Sequence, residues 1–385
     1  MKTSRATQQW ILDEFLKVED VFSYRFNFLL ERGFKHADLR RTVDRIRAFA
    51  MIPKEWGRTA RQREEAAQRA ETEGRYVTAA ADYHRAALYY GQAQSLTYEN
   101  DESKVMLHGK LLECYGKFIA LSGMRVERVE IPFEGKRTIP GVLHLPDASG
   151  KVPCVIVCPG MDTFKESFPN PYDNHFARRG MAALTIDGPG QGECNLREQL
   201  VTVDNYDRAG QAAVTYLQGR SEIDPGRIGL FGWSMGSYWG LRIAAAEPRL
   251  KGAVAVMPCF MEKGTIFDRA RPHYKENFMY MAGMTDEAAF DAMAGQMTME
   301  GLERKIQCPV LIGTGEYDEL CSLKDTDRMF NTLRCPKELW IYENQFHSMA
   351  GVLSYFYHDS ADWLLRAVNG KIPPDLNRRV VFPPD

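Results

Sequence analysis

The stretch from Ile228 to Gly236, Ile-Gly-Leu-Phe-Gly-Trp-Ser-Met-Gly, decides the fold. Its first four residues are a short apolar run of the kind that fills a buried strand. Helical spacing follows from Met235, so Gly232-Trp233-Ser234-Met235-Gly236 is a G-x-S-x-G pentapeptide on a strand-to-helix turn. A serine at such a turn is held in strained backbone geometry, and small residues two positions to either side let neighbouring backbone pass close by. Its hydroxyl is thereby pushed above the sheet edge, with a helix N-terminus behind it. Ser234 is the expected nucleophile.

Outward from this turn the chain alternates between strand and helix. Further strands are expected at Val126–Ile131, Val142–Leu145, Val152–Cys158, Met181–Ile186, Ala253–Met257, Val310–Gly313 and Leu339–Tyr342. Amphipathic helical stretches fall near 172–179, 204–219, 235–246, 324–333 and 349–368. Short apolar strands separated by helices predict an α/β domain over 126–370, with one mostly parallel sheet of eight strands covered on both faces. The first strand pair is expected to be antiparallel. Residues 258–305 are too long a connection for a compact domain and read as a lid insertion. The insertion is rich in methionine, which suits either an adaptable apolar surface or packing of its own helices. Residues 371–385, KIPPDLNRRVVFPPD, read as an extended tail.

Residues 1–125 have a different character, with apolar side chains at helical spacing and few β-branched clusters. Trp10, Ile11, Phe15 and Leu16 form one stripe, and Leu39, Val43, Ile46 and Phe49 another, which Pro53 is expected to break. A further helix is expected from Tyr76 to about Ser95.

A serine hydroxyl is a weak nucleophile at neutral pH and needs a base, itself oriented by a third group. On this kind of turn the acid and the histidine come later in the chain, on loops after subsequent strands. Asp318, in GTGEYDELC, and His347, in YENQFHSM, satisfy that order. His347 alone among the histidines is both late and on a loop after a strand, and Glu316 and Glu319 are out of phase with Asp318. The developing oxyanion needs backbone donors. These are expected from the N–H of Met235 and, in the loop Cys158-Pro-Gly-Met-Asp162, from that of Met161. Asp187-Gly-Pro-Gly-Gln-Gly192 lacks the lysine and spacing of a phosphate loop and reads as a tight turn supporting the site.

Composition sets the outer bounds. At about 100–200 residues per domain, 385 residues allow two or three domains. Hydrophobic residues at 44% and charged residues at 26% are ordinary globular values, which exclude a disordered chain. A net charge of −2 gives no electrostatic reason to bind nucleic acid or an anionic membrane. The eight cysteines form no zinc-type pairs and read as reduced thiols. Charges occupy the start of the chain where a signal peptide is apolar, and no run nears the ~20 apolar residues of a membrane span. A cytoplasmic protein without metal or cofactor is expected.

These motifs resemble the α/β-hydrolase fold. The helical front, the segment IPFEGKRTIPGVLHLP, CPGMDTFKES and IDGPGQGE are similar to one subfamily of it. That subfamily holds 2,6-dihydropseudooxynicotine hydrolase and fungal hydrolases that shorten polyketide side chains, with fermentation-respiration switch proteins more distant. The resemblance implies hydrolysis of a C–C bond in a 1,3-diketone or acyl-aromatic small molecule, by a homodimer whose front domain, 1–125, is cap and dimerisation element. It also implies an auxiliary acid beyond the triad, for which Glu262 is the positional candidate; a solvated surface glutamate is the alternative. Glu166 is a second candidate for the rim of the site or a structural contact. The same residues suit a carboxylesterase, amidase or lactonase acting on a bulky aromatic acyl substrate. A regulatory protein on a hydrolase scaffold is the third reading, and an intact triad weighs against it.

Overall fold

The computed structural model describes residues 26–257, 266–267 and 272–384. The chain divides into two compact units. One runs to Glu127 and also takes in Glu166–Asp173; the other holds Arg128–Lys165 and the chain from Asn174 onward.

The first unit is helical: α1 Phe26–Glu31, α2 His36–Val43, α3 Ile52–Thr72, α4 Tyr76–Ala93 and α5 Glu102–Ser122. Pro53 does not break a helix but starts one. It occupies the first turn of α3, where its missing N–H would have had no intrahelical partner. The preceding helix stops earlier than its apolar spacing predicts, at Val43, and Phe49–Met51 form a separate 3₁₀ turn. In α5 the Asp101 side chain accepts the Lys104 N–H at 2.7 Å, and Gly123, at φ 67°, ends the helix. Trp56, Phe34 and Tyr89 pack together with ring centroids 5.2–5.9 Å apart. Each fully buried side chain of this size contributes roughly 1.5–3 kcal/mol. The apolar stripe at Trp10–Leu16 lies outside the described residues.

The second unit is built on a nine-stranded sheet in the order β1-β2-β4-β3-β5-β6-β7-β8-β9. The strands are β1 Val126–Phe133, β2 Arg137–His144, β3 Val152–Cys158, β4 Ala182–Ile186, β5 Ile223–Trp233, β6 Ala253–Val256, β7 Val310–Gly315, β8 Lys337–Tyr342 and β9 Asn377–Phe382. β2 runs antiparallel to β4, and from β4 across to β9 every pairing is parallel. β3, β4, β6, β7 and β8 are buried at every position, as strands covered on both faces are. The covering helices include α6 Gly192–Leu196, α7 Asn205–Gln218, α8 Met235–Ala246, α9 Pro272–Met281, α10 Glu287–Ala294, α11 Leu323–Thr332 and α12 Leu353–Val368. β3 lies between β4 and β5, so the chain reverses its direction of travel there. The connections after β3 and β5 run to opposite sides of that point, the topological switch at whose carboxyl edge open α/β sheets place their sites.

Two expectations change. The sheet has a ninth strand because the tail pairs with β8, its Phe382 ring stacked on Tyr342 at 4.6 Å. The stretch 172–179 holds only a 3₁₀ turn, Ala177–Arg179, since Pro169 and Pro171 precede it and Gly180 ends it at φ 70°. Of the two readings of the insertion's methionines, the described residues favour packing: Met279, Met281, Met297 and Met299 are buried in the core of the sheet unit, and Met284 and Met293 pack against it partly buried. No described helix is long and apolar enough to cross a membrane.

Candidate active site

Ser234 stands between the end of β5 and the first turn of α8, at φ 54° and ψ −126°. That left-handed geometry is costly for a residue with a Cβ, and the surroundings enforce it. The Ser234 N–H donates to the Val256 carbonyl at 2.9 Å, and the Ser237 hydroxyl donates to the Ser234 carbonyl at 2.6 Å. Gly236 explains the second glycine of the pentapeptide. A Cβ there would lie 2.0 Å from the Cys158 carbonyl oxygen and 2.5 Å from that of Pro159. The loop after β3 is therefore pressed directly onto the nucleophile turn.

Asp318 and His347 leave the carboxyl ends of β7 and β8, two adjacent parallel strands. Ser234 Oγ and His347 Nε2 are 2.8 Å apart, and His347 Nδ1 lies 2.9 and 3.0 Å from the two Asp318 carboxylate oxygens. The Asp318 side chain is wholly buried and also accepts the N–H groups of Leu320 at 2.9 Å and Cys321 at 2.7 Å. Burial alone pulls the His347 pKa down. The Asp318 charge and hydrogen bond, helped by Glu319 and Asp162, outweigh it and raise the imidazole above its ordinary value. The structure thus brings the expected serine, histidine and aspartate into one relay, the arrangement of a serine hydrolase.

The rival carboxylates have other work. Glu319 accepts the His347 backbone N–H at 3.0 Å and Glu316 that of Asn344 at 3.1 Å, so both hold the loop that carries the base. Spacing alone did not reveal that role; only the folded loop brings residues 316–319 against 344–347. Of the other histidines, His144 is buried on β2 with its pKa pushed down to about 3 by desolvation, and His358 meets Arg179. Cys321 lies close to Asp318 and His347, their donor atoms within 4.8 Å of one another. The triad hydrogen bonds hold Asp318 and His347 there, and the Cys321 N–H donates to Asp318 while its thiol donates to the Met257 carbonyl at 3.5 Å.

Met235 is the first residue of α8, and Met161 lies in the loop after β3; both are buried. Among the described residues no group accepts the backbone N–H of either. Glu262 lies outside the described residues. Glu166 is buried and belongs to the helical unit.

A model of the esterase FrsA-like family matches residues 22–329. The chain belongs to this family. Among the FrsA-like relatives, 2,6-dihydropseudooxynicotine hydrolase of Paenarthrobacter nicotinovorans is 30% identical over 76% of this chain and 77% of its own length. The α/β hydrolase xenA of Xenoacremonium sinensis is 29% identical over 62% of this chain, a match that spans 57% of that protein. The crystal structure of the 2,6-dihydroxy-pseudo-oxynicotine hydrolase superposes with a TM-score of 0.80 at 26% identity, covering 91% of this chain and 99% of that one. AbyA5, at 18% identity and a TM-score of 0.65, shares the fold.

Proposed function

We propose that this FrsA-like chain hydrolyses a carbon–carbon bond beside a carbonyl in a 1,3-diketone or acyl-aromatic small molecule, through an acyl-enzyme. The observation that carries the reading is the Ser234–His347–Asp318 relay in a chain 30% identical to a dihydropseudooxynicotine hydrolase. Ser234 Oγ attacks one carbonyl carbon while His347 Nε2 takes its proton, and the carbonyl electron pair moves onto oxygen. The Met235 and Met161 N–H groups hold that oxyanion. Collapse re-forms the carbonyl and breaks the C–C bond. The leaving carbanion is tolerable because a neighbouring carbonyl or phenol ring delocalises it and His347 returns the proton. Water, deprotonated by His347, then releases the acid.

Ester cleavage needs the same groups with an easier leaving group, and the family's description as esterases supports it as the second reading. Incubation with an aryl 1,3-diketone and with an aryl ester, with product masses recorded, separates the two. Turnover of the ester alone would sink the first reading. A fluorophosphonate should label the wild type and leave Ser234→Ala unlabelled; an unlabelled wild type removes the nucleophile. A homodimer is part of the proposal, and light scattering of the intact chain tests it.

A further inference from the structure

The DGPGQG turn is cross-linked to the loop after β3 at both ends of that loop. Gln191, 2% exposed, donates from Nε2 to the Gly160 carbonyl at 2.9 Å and, more weakly, to that of Pro159 at 3.4 Å. The Gly160 oxygen also accepts the Thr163 hydroxyl at 2.8 Å and the Thr163 N–H at 3.2 Å. At the far end, Asp187 accepts the Lys165 N–H at 2.9 Å. The fully buried Lys165 ammonium bridges Asp187 at 3.1 Å and Glu193 at 2.8 Å. Gly192, at φ 40°, makes the closure possible, since a Cβ there would sit 2.3 Å from an Asp187 carboxylate oxygen.

The Gly160 carbonyl and the Met161 N–H belong to one planar peptide, and in the trans form they point in opposite directions. Three donors on the carbonyl therefore fix where the N–H aims. Turning the peptide over would break all three bonds at once. Gln191 is oriented in its turn. The Tyr206 hydroxyl donates to its Oε1 at 2.6 Å, which decides which end of the amide faces Gly160. Tyr206 is itself locked by stacking on Trp239, with centroids 4.2 Å and planes 2° apart.

We propose that Gln191 is a positioning residue for the reaction: by holding the Gly160 carbonyl it keeps the Met161 N–H aimed at the forming oxyanion. The inference rests on the assignment of Met161 as an oxyanion donor made above. It predicts that losing Gln191 weakens transition-state stabilisation and leaves ground-state binding and folding largely intact.

The test uses the intact chain, 4-nitrophenyl acetate turnover, and a phenyl trifluoromethyl ketone that Ser234 converts into a tetrahedral oxyanion adduct. Losing one oxyanion donor outright costs about 10²–10³ in kcat, so misaiming one should cost about 10–100-fold in Gln191→Leu. KM should move by less than about twofold, since only a transition-state contact is lost. Affinity for the ketone should fall in parallel with kcat, and the melting temperature should drop by no more than a few degrees, the cost of leaving the Tyr206 hydroxyl without its acceptor. Gln191→Glu keeps the acceptor for Tyr206 but sets a carboxylate oxygen against the Gly160 carbonyl, and should lose at least as much. Thr163→Val removes one donor of the three, should lose less, and decides the matter if the Gln191 variants do not fold. Wild-type kcat and ketone affinity in these variants would overturn the proposal, as would losses of kcat, KM and melting temperature in step. A wild type that neither turns over the ester nor binds the ketone, or a Ser234→Ala that keeps full turnover, overturns the serine-hydrolase reading itself.

Discussion

Around Ser234 the backbone is placed by contact. Gly236 lies against the Cys158 and Pro159 carbonyls, and the serine is forced to φ 54°. Around His347 placement is by charge. Asp318 and Glu319 receive backbone and ring N–H groups, while Tyr317 and Phe346, neighbours in the same two loops, are 53% and 58% exposed. The nucleophile is therefore fixed by shape and the base by charge. Acid should disable the site at His347, whose imidazole must be neutral to act as a base.

Asp318→Asn tests the charge-held side most severely, since it keeps the shape and removes the charge. By analogy with other triads kcat should fall by about 10⁴, read in steady-state turnover. Activity within tenfold of wild type would show that shape also suffices on the base side. Lys165→Met probes the other half, where one ion network sits behind the sterically placed loop. It strands Asp187 and Glu193 without their buried counter-charge, at a cost of about 3–5 kcal/mol in denaturant unfolding. Burial alone would raise the Glu193 pKa, yet Lys165, with Arg128 and Arg197, holds it down to about 2. A depressed carboxylate stabilises the fold above its unfolded pKa, about 4.3, and that contribution fades as pH falls toward 2. Wild type should lose stability across this window, and the Lys165 variant should lose less there.

Glu319→Gln gives the smallest effect. It preserves an acceptor for the His347 N–H and deletes one of the charges that raise the imidazole pKa. The acid limb of kcat/KM reports the protonation that disables the base. In wild type it should have its midpoint above the ordinary value of about 6.5, and in the variant it should move down, so activity persists to lower pH. An unmoved limb would remove Glu319 from the electrostatic half.

Much of this site was legible in the sequence because its decisive parts are local. GWSMG declares a turn within five residues, and Asp318 and His347 each follow an apolar strand directly. What escaped the sequence depends on distant partners. Glu316 and Glu319 act on backbone about 28 residues away, a contact only the pairing of β7 with β8 creates. Gln191 looked like part of a turn because its targets, Gly160 and Tyr206, lie on other elements. Pro53 was misplaced for a local reason: a proline marks a boundary, but not which side of it is helical. The ninth strand is mostly exposed and follows a proline-rich stretch, so its apolar signal is faint.

That ninth strand has a practical consequence. β8 is buried along its whole length and leads straight into the loop bearing His347. β9 covers the flank that β8 would otherwise offer to any passing chain, and the Phe382 carbonyl accepts the Glu343 N–H at 3.0 Å where that loop begins. Trimming residues 371–385 as dispensable would bare Lys-Glu-Leu-Trp-Ile-Tyr as an unpaired apolar edge, the kind that templates aggregation. An expression design for this protein is therefore safer carrying its affinity tag at the other terminus.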